Sequence, residues 1–360
     1  MNILNSERWE SGSDFHWYND FDKENATNSF YNNNILLGTG RYALRLIIEW
    51  GRIKYNWRRI WIPSYFCPDV IESVLLTGID TEFYYDDPIY GCNIYEAKYI
   101  NGDVILVNNL FGYRSQPNYD SLPRSNVQII EDHSHDPWSD WSINSSADWC
   151  FASLRKSIPV SDGAILWSPV RHQLPPQPQT ITNHYQASLE KYVGMLLKAI
   201  YLQGDPVEKE YYRGFLTRGE KQLGISKISG ITNFSRQQLF KIPIDFIRQR
   251  KNQNRDILIA KINNLKTFQI LQPDQTPNCC PFSVILYFNT TRIRKIFFDS
   301  FVGNKIYPAI LWPVKEELNN NLPASNINFS EKMLSLHCDF RYSSEDMNRI
   351  AEIIIKELNK

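Results

Sequence analysis

The chain has 360 residues, 42% of them hydrophobic, and 39 basic side chains balance 39 acidic ones to a formal charge of zero. That length and apolar share can fill one large core and a smaller one, and the balanced charge leaves no electrostatic footprint for nucleic acid or an anionic membrane surface. No run approaches the ~20 apolar residues of a membrane span, and no basic stretch followed by an apolar one opens the chain, so a soluble protein of the cytoplasm is expected. The six cysteines, Cys67, Cys92, Cys150, Cys279, Cys280 and Cys338, contain no C-x-x-C pair and read as reduced packing thiols.

Residues 1–34, rich in Asn, Asp and aromatics, are expected to form an arm lying on the body rather than a core element. "GTGRYALRLIIEW" opens with glycines and continues as a helix. "RIWIPSYF" reads as a short strand ending at Pro63. "DVILVNN" and "VQIIED" are apolar runs closed by polar residues, as strands buried on both faces of a parallel sheet are, and "GAILWS" is a further strand. Strands alternating with helical stretches make residues 35–240 a doubly wound α/β domain, in which ligands collect at the carboxyl ends of the strands. After a proline-rich loop, Leu189, Val193, Leu196, Leu197 and Ile200 recur at helical spacing. Another helix spans "IDFIRQRKNQNRDILIAKI", strands follow at "FSVILYF" and "YPAILW", and Ser343 caps a last helix with Glu345 and Asp346 in its first turn. Residues 241–360 are therefore expected to form a smaller α+β domain.

Three features carry chemistry in combination. The turn at Thr39, Gly40 and Arg41 offers free backbone N–H groups at a helix start, a phosphate-binding feature. Glu131 and Asp132 close a strand, and Lys156 follows in "FASLRKSIPVSDGAI" beside a serine-containing turn. This order suits a cofactor with a phosphate, a ring nitrogen and an aldehyde. Pyridoxal phosphate has all three: its phosphate would rest on the helix start, its ring nitrogen against Asp132, and its aldehyde in a Schiff base with Lys156. Arg155 either lowers the pKa of Lys156 as a neighbouring cation or points away to a carboxylate. In a reading of a different class, His133 and His135, two apart on an extended strand and flanked by acids, ligate a divalent metal in a hydrolase.

These motifs resemble the DegT/DnrJ/EryC1/StrS-type aminotransferases of pyridoxal-phosphate fold type I, which mostly aminate keto-sugars attached to nucleotides. "GTGRYAL" is similar to the family's phosphate turn, "IPSYFCPDVIESVLLTG" to its Pro-Ser segment, "NNLFG" to a strand end, "IIEDHSHD" to its Glu-Asp-Ala-Ala-Gln signature, and "RYSSEDMNRIAEII" to its ending. The resemblance implies Asp132 as the pyridinium partner, Lys156 as the imine lysine and general acid–base, and His135 as the donor to the phenolic oxygen. It implies Ser153 near the phosphate and a stacking side chain from "PSYFC", with Phe66 or Cys67 favoured by register and Tyr65 as the alternative. "TNFSRQQL" resembles a loop that reaches the partner subunit's site, with Asn233 matching and Ser235 standing where an Arg is expected, next to Arg236. The expectation is thus a homodimeric aminotransferase with shared sites. It moves an amino group from an amino acid, glutamate by resemblance, to a keto-sugar or related keto substrate. Arg341, Arg236 and Arg41 are candidates for holding substrate carboxylate or phosphate.

Overall fold

The apolar runs of the sequence become a seven-stranded sheet in the computed structural model, which describes residues 8–12, 14–18, 29–225, 227–274, 278–319 and 321–359. The elements of the first half are β1 (Ser11–Gly12), β2 (Ile35–Leu37), α1 (Gly40–Lys54), β3 (Arg59–Pro63), α2 (Pro68–Leu75), β4 (Asp80–Tyr84), β5 (Asp86–Asp87), β6 (Gly91–Cys92), β7 (Asp103–Asn108), β8 (Val127–Asp132), α3 (Asp140–Ile143), β9 (Trp149–Ser153) and β10 (Ala164–Trp167). Those of the second half are α4 (Thr182–Gln203), α5 (Lys209–Ile225), α6 (Asn233–Leu239), α7 (Ile244–Ile262), β11 (Phe268–Ile270), β12 (Val284–Phe288), α8 (Thr291–Gly303), β13 (Ile306–Tyr307), α9 (Ala324–Lys332), β14 (Met333–Leu336) and α10 (Ser344–Leu358).

The large sheet runs β2-β10-β9-β8-β7-β3-β4. From β4 to β9 all pairings are parallel, and β10 and β2 join antiparallel. Because apolar layers cover both faces, β7 is buried along its whole length. One layer holds α1 through Leu44, Ile47 and Ile48; the other holds Trp138, Trp141 and Leu239. A second sheet, β11-β12-β14, is antiparallel and shares its core with α8 and α10. α7 begins in the large-sheet core with Ile244 and Ile247 and ends in the small-sheet core with Leu258 and Ile262, so the chain passes between cores inside this helix. α10 is held by the expected Ser343, which forms a capping box with Asp346.

Three expectations need correction, and the sidedness of α4, which the spacing left open, joins them. The described part of the arm contributes to the cores: Trp9 is buried with the small sheet, β1 pairs in parallel with β13, and Tyr31 is buried against the large sheet. Of "YPAILW" only Tyr307 lies in a strand, as the end of β13, and beyond it a single bridge joins Ala309 to Ser335. "TNFSRQQL" is the helix α6 rather than a loop, with Thr232 at its N-cap. The apolar stripe of α4 does not face inward: Leu189 is 40% and Ile200 38% exposed, whereas Lys191, Lys198 and Gly194 are buried. The helix turns this way because its polar side chains find carboxylates inside, Lys191 at Glu220 and Lys198 at Glu10.

Candidate active site

Parallel register aligns the ends of three central strands. Asn108 lies opposite Asp132, and Asp132 opposite Phe151, so the turns leaving β7, β8 and β9 meet at one edge. Asp132 is 8% exposed. Its Oδ1 accepts the Ser134 amide at 2.8 Å, and Ser134 Oγ accepts the Ser153 amide at 2.9 Å, tying the end of β8 to that of β9. Among the described residues no lysine or arginine forms an ion pair with Asp132. A buried carboxylate with one oxygen uncommitted is suited to a cationic N–H from a ligand.

His135 is a neutral donor. Its Nδ1 accepts the Phe111 amide at 2.9 Å, which leaves the proton on Nε2. Burial, joined by the charges of Lys156 and Lys251, pushes its pKa well below 6.5. The Phe111 amide reaches it because Phe111 takes φ 58°, ψ 8°, a left-handed conformation rare outside glycine. Gly112 follows at φ 69°, where a Cβ would also stand 3.1 Å from that of Asp136.

The paired cations have separate fates. Arg155 forks onto Glu220 of α5, which Lys191 also reaches at 2.5 Å and Arg41 at 3.8 Å. Burial raises the Glu220 pKa, but the charges and hydrogen bonds of Arg155 and Lys191 outweigh it and hold the group far below the usual carboxylate range. Arg155 therefore spends its charge on a carboxylate. Lys156, half-buried at the end of the turn after β9, has no carboxylate partner among the described residues. It lines a cleft of about 310 Å³ with Arg155, Lys191, Lys251, His337 and Arg341. Burial pushes His337 down to about 4. Burial works against ionisation of Asp339, yet the Arg341 guanidinium, forked onto it, holds it at about 2. Arg341 is also covered by the Phe15 ring, 4.4 Å away.

The helix start abuts this edge. Thr39 caps α1, its Oγ1 accepting the Tyr42 amide at 3.3 Å, and the first turn carries no acidic residue. Gly40 packs so closely on Ser153 that an added Cβ would stand 3.1 Å from the serine Cβ. The amides at this end, beside a small hydroxyl side chain, are an anion cradle. Of the three residues in the "YFC" segment, Tyr65 is committed to Leu311 O and the Trp312 amide, and Phe66 is packed in the α1 layer with its edge toward Trp312. Cys67 is half-buried; burial raises its thiol pKa and the charge of Lys156 opposes that rise.

Asn233 is exposed at the start of α6 and does not line the cleft of its own chain. Ser235 is buried, its hydroxyl 3.2 Å from that of Ser161, and Arg236 is exposed.

The structure separates the two histidines of the metal reading. After Asp132 the chain turns, with the Asp136 amide donating to His133 O, so the pair does not share one face of a strand. His133 points into the core between Trp141 and Trp167, and His135 lies against Trp312 and Phe282. Glu131, His133 and Cys150 do bring ligand-type atoms within 4.8 Å of one another. The Glu131 carboxylate is already filled by donors, however: Tyr119 at 2.6 Å, Trp141 at 2.8 Å, Ser145 at 2.6 Å and His133 at 2.7 Å. Phenol, indole and hydroxyl donors at that density make a hydrogen-bonded plug rather than a cation's ligand set.

Sequence reasoning missed Glu220, Lys251, His337 and Asp339. Lys251 sits in the polar run "RQRKNQNR". Nothing in that run distinguishes a cleft-facing lysine from a solvated one.

By sequence the chain matches no protein-family model and no curated protein. Solved structures do match it. A sugar aminotransferase of Streptococcus pneumoniae in its PMP form aligns at TM-score 0.63 and 15% identity over 91% of this chain and 89% of that one. DesI, in the presence of its TDP-sugar product, aligns at 0.61 and 14% over 97% and 86%. DesV of S. venezuelae aligns at 0.59 and 13% over 95% and 90%. The chain therefore has the fold these aminotransferases share, fold type I of the pyridoxal-phosphate enzymes, as expected.

Proposed function

We propose that the protein is a pyridoxal-phosphate-dependent aminotransferase that moves an amino group from an amino acid, glutamate, to a keto-sugar carried on a nucleotide. The observation that carries this is the pair of uncommitted groups at adjacent strand ends, Asp132 and Lys156, beside an Arg155 whose charge is matched by Glu220. Their surroundings fit the cofactor: a cradle at Gly40 and Ser153, a carboxylate without a cation, and a neutral Nε2–H on His135. Names of the structural neighbours, sugar aminotransferases in PMP form or with a TDP-sugar, support the substrate class.

The bound cofactor supplies an electron sink for the pair left when the substrate's α-proton departs. The residues do the rest. Asp132 holds a proton on the ring nitrogen by its negative charge. His135 Nε2–H would orient the ring through its phenolic oxygen, and the α1 amides with Ser153 would hold the phosphate. Cys67, half-buried, would pack a small thiol side chain beside the ring in place of an aromatic one. Lys156 Nζ would accept the substrate's α-proton as a base and give it back as an acid. Arg155 and Lys191, tied to Glu220, fasten α4 and α5 to the lysine's turn.

The working unit is a homodimer with shared sites. The outward apolar stripe of α4 lies beside Phe234, whose ring is 5.3 Å from that of Tyr192, and Asn233 projects next to it, which suits a self-complementary interface. Free cysteines throughout and the lack, among the described residues, of any helix able to cross a membrane support a cytoplasmic setting.

The test is direct. Protein purified with pyridoxal phosphate is expected to be coloured, to lose that colour on addition of L-glutamate, and to release 2-oxoglutarate. A colourless protein that releases none, or activity removed by a chelator and restored by zinc, overturns the assignment. For the dimer, mixed inactive Lys156→Ala and Asn233→Ala chains are expected to regain activity together.

A further inference from the structure

Lys251 of α7 is 6% exposed and lines the cleft that Lys156 also lines. Its Nζ lies 5.2 Å from the centre of the Phe282 ring, and among the described residues no carboxylate pairs with it. The acids around it are committed elsewhere, Asp14 of the same cleft lying 3.6 Å from Lys191. Asp136 gives one oxygen to Arg248 and the other to the Cys280 amide at 2.8 Å. Asp339 is forked by Arg341, and Glu220 is taken by Arg155 and Lys191. The nearby histidines, His135 and His337, are held neutral by burial and offer no negative charge. A buried ammonium without a counter-charge is costly, and a cleft-facing one obtains that charge from what enters the cleft.

We propose that Lys251 is the anchor for the carboxylate of the amino donor, an inference that rests on the aminotransferase assignment. Lys156 and Lys251 line the same cleft of about 310 Å³. Every α-amino acid carries a carboxylate one bond from the carbon that reacts, and a group bound at Lys251 turns that carbon toward Lys156. The Phe282 ring beneath the ammonium excludes water and strengthens the pairing. Arg341, neutralised by Asp339 and covered by Phe15, is less able to serve.

The experiment uses glutarate, a dicarboxylate without an amine, titrated calorimetrically into the cofactor-loaded protein. Glutarate is expected to bind wild type, to bind Lys251→Gln and Lys251→Met at least about 10-fold more weakly, and to recover most of its affinity in Lys251→Arg. Propylamine, which lacks a carboxylate, is expected to shift the visible absorption of wild type and Lys251→Gln at equal rates. Unchanged glutarate affinity in both variants, no glutarate binding to wild type, or weakened binding confined to a thymidine diphosphate probe overturns the proposal. Loss of glutarate binding in a protein whose wild type releases no 2-oxoglutarate from glutamate leaves Lys251 as a carboxylate site and removes the aminotransferase assignment instead.

Discussion

The end of β8 holds two acid–histidine pairs that differ in one respect. Glu131 and His133 point into the core, where the carboxylate takes hydrogen bonds from Tyr119, Trp141, Ser145 and His133. Asp132 and His135 turn to the sheet edge, where the carboxylate keeps one oxygen uncommitted and the imidazole keeps its Nε2–H. The chemistry of the residues is the same. What separates a structural pair from a reactive one here is unspent hydrogen-bonding capacity, and the alternation of a strand puts the two a single residue apart.

The largest expected effect lies with Lys156, in the turn that leaves β9. Lys156→Ala is expected to lower turnover about 10⁴-fold or more while thermal unfolding stays as in wild type. Borohydride trapping, followed by peptide mapping, should find the cofactor on Lys156, and finding it on Lys191 or Lys198 would move the site. Next comes the comparison itself. Asp132→Asn should cut turnover by a factor of about 100 to 1,000, the loss of one partner of a developing charge, with little change in stability. Glu131→Gln should do the reverse, costing about 3 kcal/mol of stability, measured by urea titration, because it breaks a buried network.

A pH series sharpens the contrast. Burial raises the Glu131 pKa, but the His133 hydrogen bond and charge, with Ser145 and Tyr119, win and hold it below 4.5 in the fold. A folded pKa below the unfolded one gives stability that is full above about pH 4.5 and is lost as pH falls through the folded value. Melting temperatures from pH 7 down to 3 should therefore drop more steeply in wild type than in Glu131→Gln. The smallest effect belongs to His135. With its pKa well below 6.5, it stays neutral from pH 6 to 8, and His135→Gln, which keeps an N–H donor, should change turnover only several-fold with an unaltered pH profile over that range.

Much of this was legible in the chain because it rests on local pattern. The runs "DVILVN" and "VQIIED" are β7 and β8, their polar ends are the sheet edge, Thr39 and Gly40 begin α1, and α7 spans its expected residues. What was not legible depends on partners far away in sequence. The spacing of Leu189 to Ile200 marks a helix but not which side is inside, which Glu220 and Glu10 decide by capturing lysines of the opposite face. Arg155 and Lys156 look alike as neighbours, and only Glu220, 65 positions from Arg155, tells them apart. The two histidines share a face only if the strand continues past Asp132, and the amide of Ser134, turning back to that side chain, ends it.

The stitching of β1 sets a condition on how this protein comes to exist in a cell. Trp9 donates to Asp346, 337 positions later, and the Gly12 amide to Tyr342, 330 later. At about 5 to 20 residues per second of synthesis, on the order of 20 to 70 seconds pass before such a partner emerges from the ribosome. The small-sheet core cannot close until then, however quickly the central strands assemble. Throughout that interval the indole of Trp9 has no core to enter, which makes the nascent amino-terminal segment a natural client for a chaperone.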